Sequence, residues 1–130
     1  MNPEQKLSGK KVMWVEDDQL LGDVVAKVIS NNGATVIRAM DGEEAINIVA
    51  TELPDVVVLD VLLPKADGFK VLETIKKDPK LMHIPVILFS NLSSREDIQK
   101  GLSLGALKFI VKATIVPNEI IDEIASALHI

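Results

Sequence analysis

Five polar side chains stand directly after apolar runs in this sequence, and their types make a coherent set. Glu16 and Asp17 follow the run Val12 to Val15, Asp60 follows Val56 to Leu59, Ser90 follows Val86 to Phe89, and Lys112 follows Phe109 to Val111. Short apolar runs of this kind read as buried strands, and parallel α/β sheets gather their ligand chemistry at the carboxyl ends of their strands. Three acids, a hydroxyl and an amine would then share one edge. Carboxylates within about 4 Å of one another repel by roughly 4 kcal/mol per pair at an effective dielectric near 20, so a cluster of Glu16, Asp17 and Asp60 calls for a cation. Oxygen donors without histidine or cysteine select a hard ion, Mg2+ or Ca2+, and a site that keeps waters and an open position for a phosphate suits Mg2+. Ser90 and Lys112 would supply a hydrogen bond and a positive charge to an anion over Asp60, most economically a phosphoryl group. Taken singly, each has a plainer role: the triplet Glu16-Asp17-Asp18 as a helix cap, Ser90 as a turn hydroxyl, Lys112 as a solvated amine.

The elements that must position these groups can be read from periodicity. Strand and helix alternate five times with short connections, the pattern of a parallel sheet covered on both faces. Strands are expected at about Lys11 to Val15, Thr35 to Ala39, Val56 to Leu59, Val86 to Phe89 and Lys108 to Val111. The first helix carries two adjacent apolar rows, Leu20/Val24/Val28 and Leu21/Val25/Ile29, and stops near Asn31-Asn32-Gly33. Two rows exceed what one buried stripe needs, so Leu20 or Leu21 is expected to be partly exposed as a docking patch for a partner. Asp41 with Glu44 reads as a capping box for the second helix, which buries Ala45, Ile46, Ile48 and Val49. The third helix runs from about Gly68 to Lys77 on Val71, Leu72 and Ile75, and Ser93 with Glu96 begins the fourth, carrying Ile98 and Leu102. Pro117 falls in the first turn of the fifth, followed by Ile120, Ile121, Ile124 and Leu128.

Composition bounds the function. The chain has 130 residues, 48% of them hydrophobic and 25% charged, with no cysteine, which removes disulfides, thiolate zinc sites and thiol catalysis. The organisation expected is a flexible N-terminal arm over residues 1–9 and a single domain over 10–130. Met1 to Lys11 has no apolar core of a signal peptide, and charged residues interrupt every apolar stretch, so the expectation is a cytoplasmic protein without membrane insertion. A net charge of -5, with only two arginines, argues against direct nucleic-acid binding. His83 and His129 lack a second nitrogen ligand at metal-binding spacing.

The combination of motifs over about Lys10 to Leu128 resembles the receiver domain of two-component response regulators. The resemblance implies a doubly wound five-stranded parallel sheet, the (βα)5 flavodoxin-like receiver fold, with strand order 2-1-3-4-5. It implies Asp60 as the phosphate-accepting aspartate and Glu16 and Asp17 as the acidic pair. Mg2+ would be bound by Asp17 and Asp60 directly, by Glu16 through water, and by the backbone carbonyl of Leu62. Ser90 would be the switch hydroxyl, Lys112 the lysine that pairs with the phosphoryl group, and Phe109 the aromatic that turns inward with the switch. Pro64, Gly68 and the Gly105-Ala106 pair also fall where the family has them. The implied partner is a histidine kinase or a histidine phosphotransfer protein, the implied output is the face of the fourth helix, fifth strand and fifth helix, and the domain would be a signalling phosphoacceptor rather than an enzyme.

Three departures qualify the pattern. Ala113 follows Lys112 where a proline in a cis bond is usual, Asn91 stands where the residue after the switch hydroxyl is small, and Leu62 and Leu92 place aliphatic groups beside the phosphoryl position. Ala113 and Asn91 motivate, as the alternative, a pseudo-receiver that keeps the fold as a protein-interaction module with inefficient phosphorylation. A haloacid-dehalogenase phosphatase would need an acid two residues after Asp60, where Leu62 stands. A flavodoxin-like cofactor binder would place its phosphate loop at the acidic Glu16-Asp17-Asp18.

Overall fold

The computed structural model describes residues 5–130. Five strands, β1 Lys11–Val15, β2 Thr35–Ala39, β3 Val56–Leu59, β4 Val86–Ser90 and β5 Lys108–Val111, alternate with five helices, α1 Gln19–Asn31, α2 Gly42–Glu52, α3 Gly68–Lys77, α4 Arg95–Ser103 and α5 Pro117–Ala127. All strand pairs are parallel and the order is β2-β1-β3-β4-β5. This is the expected receiver topology, and the order reverses direction between β1 and β3, where open sheets form their ligand crevice.

The pleat sends alternate side chains to opposite faces, and two cores result. Met13, Val15, Val57, Leu59, Val86 and Leu88 pack under α2 and α3 with Ala45, Val49, Val71, Leu72 and Ile75. Val12, Trp14, Val56, Val58, Ile87 and Phe89 pack under α1 and α5 with Val25, Ile29, Ile120, Ile121 and Ile124. Every residue of β3 and β4 is buried, as continuous apolar runs of central parallel strands require, whereas the edge strand β5 is half-buried throughout.

Three expectations are corrected. Residues 5–9 are not a loose arm: Leu7 is fully buried in the core beneath α1 and α5, and its N–H donates to the Asn32 carbonyl at 2.9 Å. Residues 1–4 lie outside the described residues. The N-cap of α4 is Ser94, not Ser93; its hydroxyl accepts from the Asp97 N–H at 3.1 Å. Leu102 is exposed rather than buried, and Gly101 is the one buried residue of α4.

Candidate functional site

β1 and β3 pair in register, so Val15 lies opposite Leu59 and the next residues, Glu16 and Asp60, emerge side by side. The Asp60 N–H donates to the Val15 carbonyl at 3.0 Å and the Glu16 N–H to the Ala39 carbonyl at 3.0 Å, which fixes both backbones where the strands end. Asp17 follows on the connection to α1. The acidic triplet divides its labour: Asp18 caps α1, accepting from the Leu21 N–H at 3.1 Å, which leaves Glu16 and Asp17 uncommitted to the helix. Gly68 allows the β3–α3 loop to fold back over Asp60. A Cβ at that position would overlap the Asp60 carbonyl oxygen and lie 2.7 Å from the Val61 Cα. Its own N–H donates to the Val61 carbonyl at 2.8 Å, and Asp67 caps α3 beside it.

Carboxylate oxygens of Glu16, Asp17 and Asp60 lie within 4.8 Å of one another. Glu16 and Asp60 are buried and Asp17 is exposed. Lys112 reaches them from the far side, on a 3-10 turn over Lys112–Thr114 that follows β5. Its ammonium donates to Oδ2 of Asp60 at 2.8 Å and to Oε2 of Glu16 at 2.8 Å, and lies 2.6 Å from Oε1 of Glu16. It also sits 5.6 Å from the centre of the Phe89 ring. The other Asp60 oxygen, Oδ1, accepts from the Leu62 N–H at 3.2 Å. The Lys112–Ala113 bond is trans, as are all peptide bonds among the described residues, and the amine still reaches both acids.

Burial dominates the electrostatics. It raises the Glu16 carboxyl from its ordinary 4.5 to about 7, with hydrogen bonding to Asp60 adding to the rise and Lys112 opposing it. For Lys112 burial works against the ammonium, but the hydrogen bonds to Asp60 and Glu16 outweigh it and the pKa stands above the ordinary lysine value. One lysine therefore offsets only part of the charge of three acids. Oε1 of Glu16 is buried without an aligned hydrogen bond, its charge met by the Lys112 ammonium at 2.6 Å. Oxygen-only donors and unbalanced negative charge fit a hard divalent cation.

Ser90, the last residue of β4, is fully buried, and its Oγ accepts from the Leu92 N–H at 3.4 Å. Phe109 of β5 is half-buried against the core, and a Cβ at Gly101 of α4 would overlap the Leu88 side chain and come within 3.2 Å of the Phe109 ring. Leu62 is exposed, Asn91 is exposed and Leu92 is half-buried. On α1 the two apolar rows separate: Val25 and Ile29 are buried with Leu21 packed against them, while Leu20 is 79% exposed with Val24 beside it. His83 and His129 are exposed, and neither joins the cluster of Glu16, Asp17 and Asp60.

This geometry belongs to a known family. The sequence profile of the response regulator receiver domain matches residues 12–125. The chain belongs to the response regulator receiver domain family. It is 37% identical over 120 residues to a probable transcriptional regulator, ycf27, of Guillardia theta, a match covering 92% of this chain and 46% of that protein. The chain spans about half the length of the curated relatives it matches. Among solved structures it is similar to the receiver domain of the Francisella response regulator 1452, with TM-score 0.85 and 28% identity over 93% of this chain and 98% of that one. It is also similar to the chemotaxis response regulator CheY4 of Vibrio cholerae, with TM-score 0.85 and 25% identity over 92% and 98% of the respective chains. Receiver domains are signalling domains, and no enzyme family is indicated. Among the described residues, no helix is long and apolar enough to cross a membrane.

Sequence reasoning passed over Arg38. This half-buried residue of β2 pairs with Asp23 and donates to the Gln19 carbonyl at 3.3 Å, both on α1. The signal available was Gly22, a glycine in the interior of a predicted helix, which is unfavourable by roughly 1 kcal/mol relative to alanine unless something needs the space.

Proposed function

We propose that this receiver domain accepts a phosphoryl group on Asp60 from a phosphohistidine of a histidine kinase or histidine phosphotransfer protein. The observation that carries the reading is the Lys112 ammonium, held at 2.8 Å from buried Asp60 in a cluster of three acids that it does not neutralise. An Asp60 oxygen attacks phosphorus, the phosphorus–nitrogen bond of the donor breaks, and the imidazole leaves with the bonding pair and takes up a proton. The product is an acyl phosphate. Such transfer rests mainly on positioning and on charge neutralisation.

Glu16, Asp17, Asp60 and the Leu62 carbonyl would hold Mg2+, which when bound supplies positive charge to the phosphoryl oxygens. Lys112 exchanges its contact with Oδ2 for a phosphoryl oxygen and orients the anion. Ser90 is the hydroxyl placed to donate to a second oxygen. Its movement draws in the loop after β4, and Phe109 turns toward the space this opens, changing the α4-β5-α5 face that a downstream partner reads. Leu20, with Leu21 beneath it, forms the docking patch for the phosphodonor, and the domain works in the cytoplasm without contacting nucleic acid itself. A pseudo-receiver reading draws on Ala113 and Asn91, but Lys112 reaches Asp60 across a trans bond.

The test is transfer from a phosphorylated histidine kinase in the presence of Mg2+. The label should move from kinase to this protein in the parent and fail to move to Asp60→Asn. Leu20→Lys should slow transfer from the kinase while sparing phosphorylation by acetyl phosphate. Undiminished transfer to Asp60→Asn would remove Asp60 as acceptor, and a parent that takes no label from either donor would favour the interaction module.

A further inference from the structure

Gly22 interrupts the buried side of α1, and the structure gives it a tenant. A Cβ built there would overlap Nη2 of Arg38 and lie 3.2 Å from its Cζ and 3.5 Å from its Nε. The guanidinium thus lies in the notch that the missing side chain leaves. From this seat Nη1 pairs with Asp23 and Nη2 donates to the carbonyl of Gln19, so both contacts fall on the first turns of the same helix. Gln19 is two residues from Asp17, and between them stands Asp18, the N-cap. Asp17 has no strand beneath it to fix its height over the site. It is exposed, and no side-chain hydrogen bond of its own holds it among the described residues, whereas Glu16 and Asp60 are each held by Lys112.

We propose that Arg38, seated in the Gly22 notch, is a positioning residue that fastens the first turn of α1 to β2 and so sets Asp17 against Glu16 and Asp60. The proposal rests on the reading of those three acids as the cation site. It assigns a purpose to a helix glycine that propensity alone disfavours, and to one of the two arginines in the chain. A planar guanidinium suits the task, since it offers donors in a fixed fork where an ammonium offers a point charge.

Charge and geometry predict opposite signs, which makes the idea testable. If Arg38 acts only through its positive charge near an acidic site, removing it strengthens cation binding. If it positions Asp17, removing it weakens binding. The experiment measures the Mg2+ dissociation constant from the concentration dependence of the melting temperature, for the parent, Arg38→Ala, Arg38→Lys, Gly22→Ala and the Gly22→Ala/Arg38→Ala double variant. Arg38→Ala should weaken Mg2+ on the order of tenfold, at the low end of what loss of an outer support costs a metal site. Arg38→Lys, which keeps the charge, should weaken it nearly as much. Gly22→Ala should weaken Mg2+ in the parent by displacing the guanidinium, yet in the Arg38→Ala background it should leave Mg2+ unchanged and raise the metal-free melting temperature, as alanine does in an open helix. Equal or tighter Mg2+ binding by Arg38→Ala overturns the proposal, as does a Gly22→Ala effect that persists without Arg38. A parent whose melting temperature ignores Mg2+ overturns the cation reading itself, and the proposal with it.

Discussion

Replacing Glu16 with glutamine removes the charge on which burial weighs most heavily while keeping the shape of the protonated acid. The sign follows from the raised pKa. The folded chain holds the Glu16 proton up to about pH 7 and the unfolded chain releases it near 4.5, so the folded state binds more protons between these values and its stability falls as pH rises through that window. A change from 4.5 to about 7 corresponds to about 3 kcal/mol at roughly 1.4 kcal/mol per tenfold step. Glu16 is 2% exposed, so solvent screening removes little of it. In chelated buffer, Glu16→Gln should match the parent most closely near pH 4.5 and gain on it steadily, ending about 3 kcal/mol ahead by pH 8, or about 10 °C in melting temperature for a chain of this size. Lys112 keeps Asp60 as a partner in the variant. The assay is urea unfolding followed through Trp14, the buried and only tryptophan, at closely spaced pH values. An advantage that does not grow with pH, or a parent more stable than the variant at pH 8, would mean that pairing with Lys112 outweighs burial and that the site is not strained.

Asp17→Asn should stabilise the metal-free protein by about 1 kcal/mol, the repulsion across roughly 5 Å in a water-like dielectric, and should abolish the gain in melting temperature that Mg2+ gives the parent; calorimetry with and without the ion checks both. Leu62→Asn and Leu92→Lys each place a polar group beside the phosphoryl position, where the parent has nothing to orient an attacking water, and should speed decay of the acyl phosphate; unchanged decay in both variants would take these residues out of the account. Gly68→Ala should destabilise the fold by about 2 kcal/mol or more through overpacking, because its Cβ meets backbone of Asp60 and Val61 rather than a side chain that can swing away, and a urea midpoint equal to that of the parent would contradict it.

The bounds of β1, β2, β3 and β5 coincide with their expected ranges because each is a short stretch rich in apolar and β-branched residues, bordered by polar or turn residues. The cap at Asp41 and the stop after Lys77 were equally readable, since Asp41 accepts from the Glu44 N–H and Asp78 ends α3 before Pro79. The juxtaposition of Glu16, Asp17, Asp60 and Lys112 followed from strand ends alone. What the sequence concealed depended on contacts across elements. Of two adjacent serines, Ser94 became the cap of α4. Leu7 looked like part of a polar arm because its burial comes from packing in the core beneath α1 and α5, far away in sequence. Leu20 and Leu21 are chemically alike, and only the rotation of α1 against β1 decides which faces out. Arg38 carried no motif, as its meaning lies in a missing Cβ on another element.

The central claim, that Asp60 is the phosphoacceptor, is tested most directly by trapping the acyl phosphate where it forms. The protein is incubated with acetyl phosphate and Mg2+, the mixed anhydride is reduced with borohydride, and the peptides are sequenced by mass spectrometry. The account predicts that the reduced residue is Asp60 and no other carboxylate, that chelation abolishes it, and that Lys112→Ala greatly reduces it. Label on Glu16, Asp17 or a residue outside the cluster, or label on Asp60 undiminished by chelation, would contradict it.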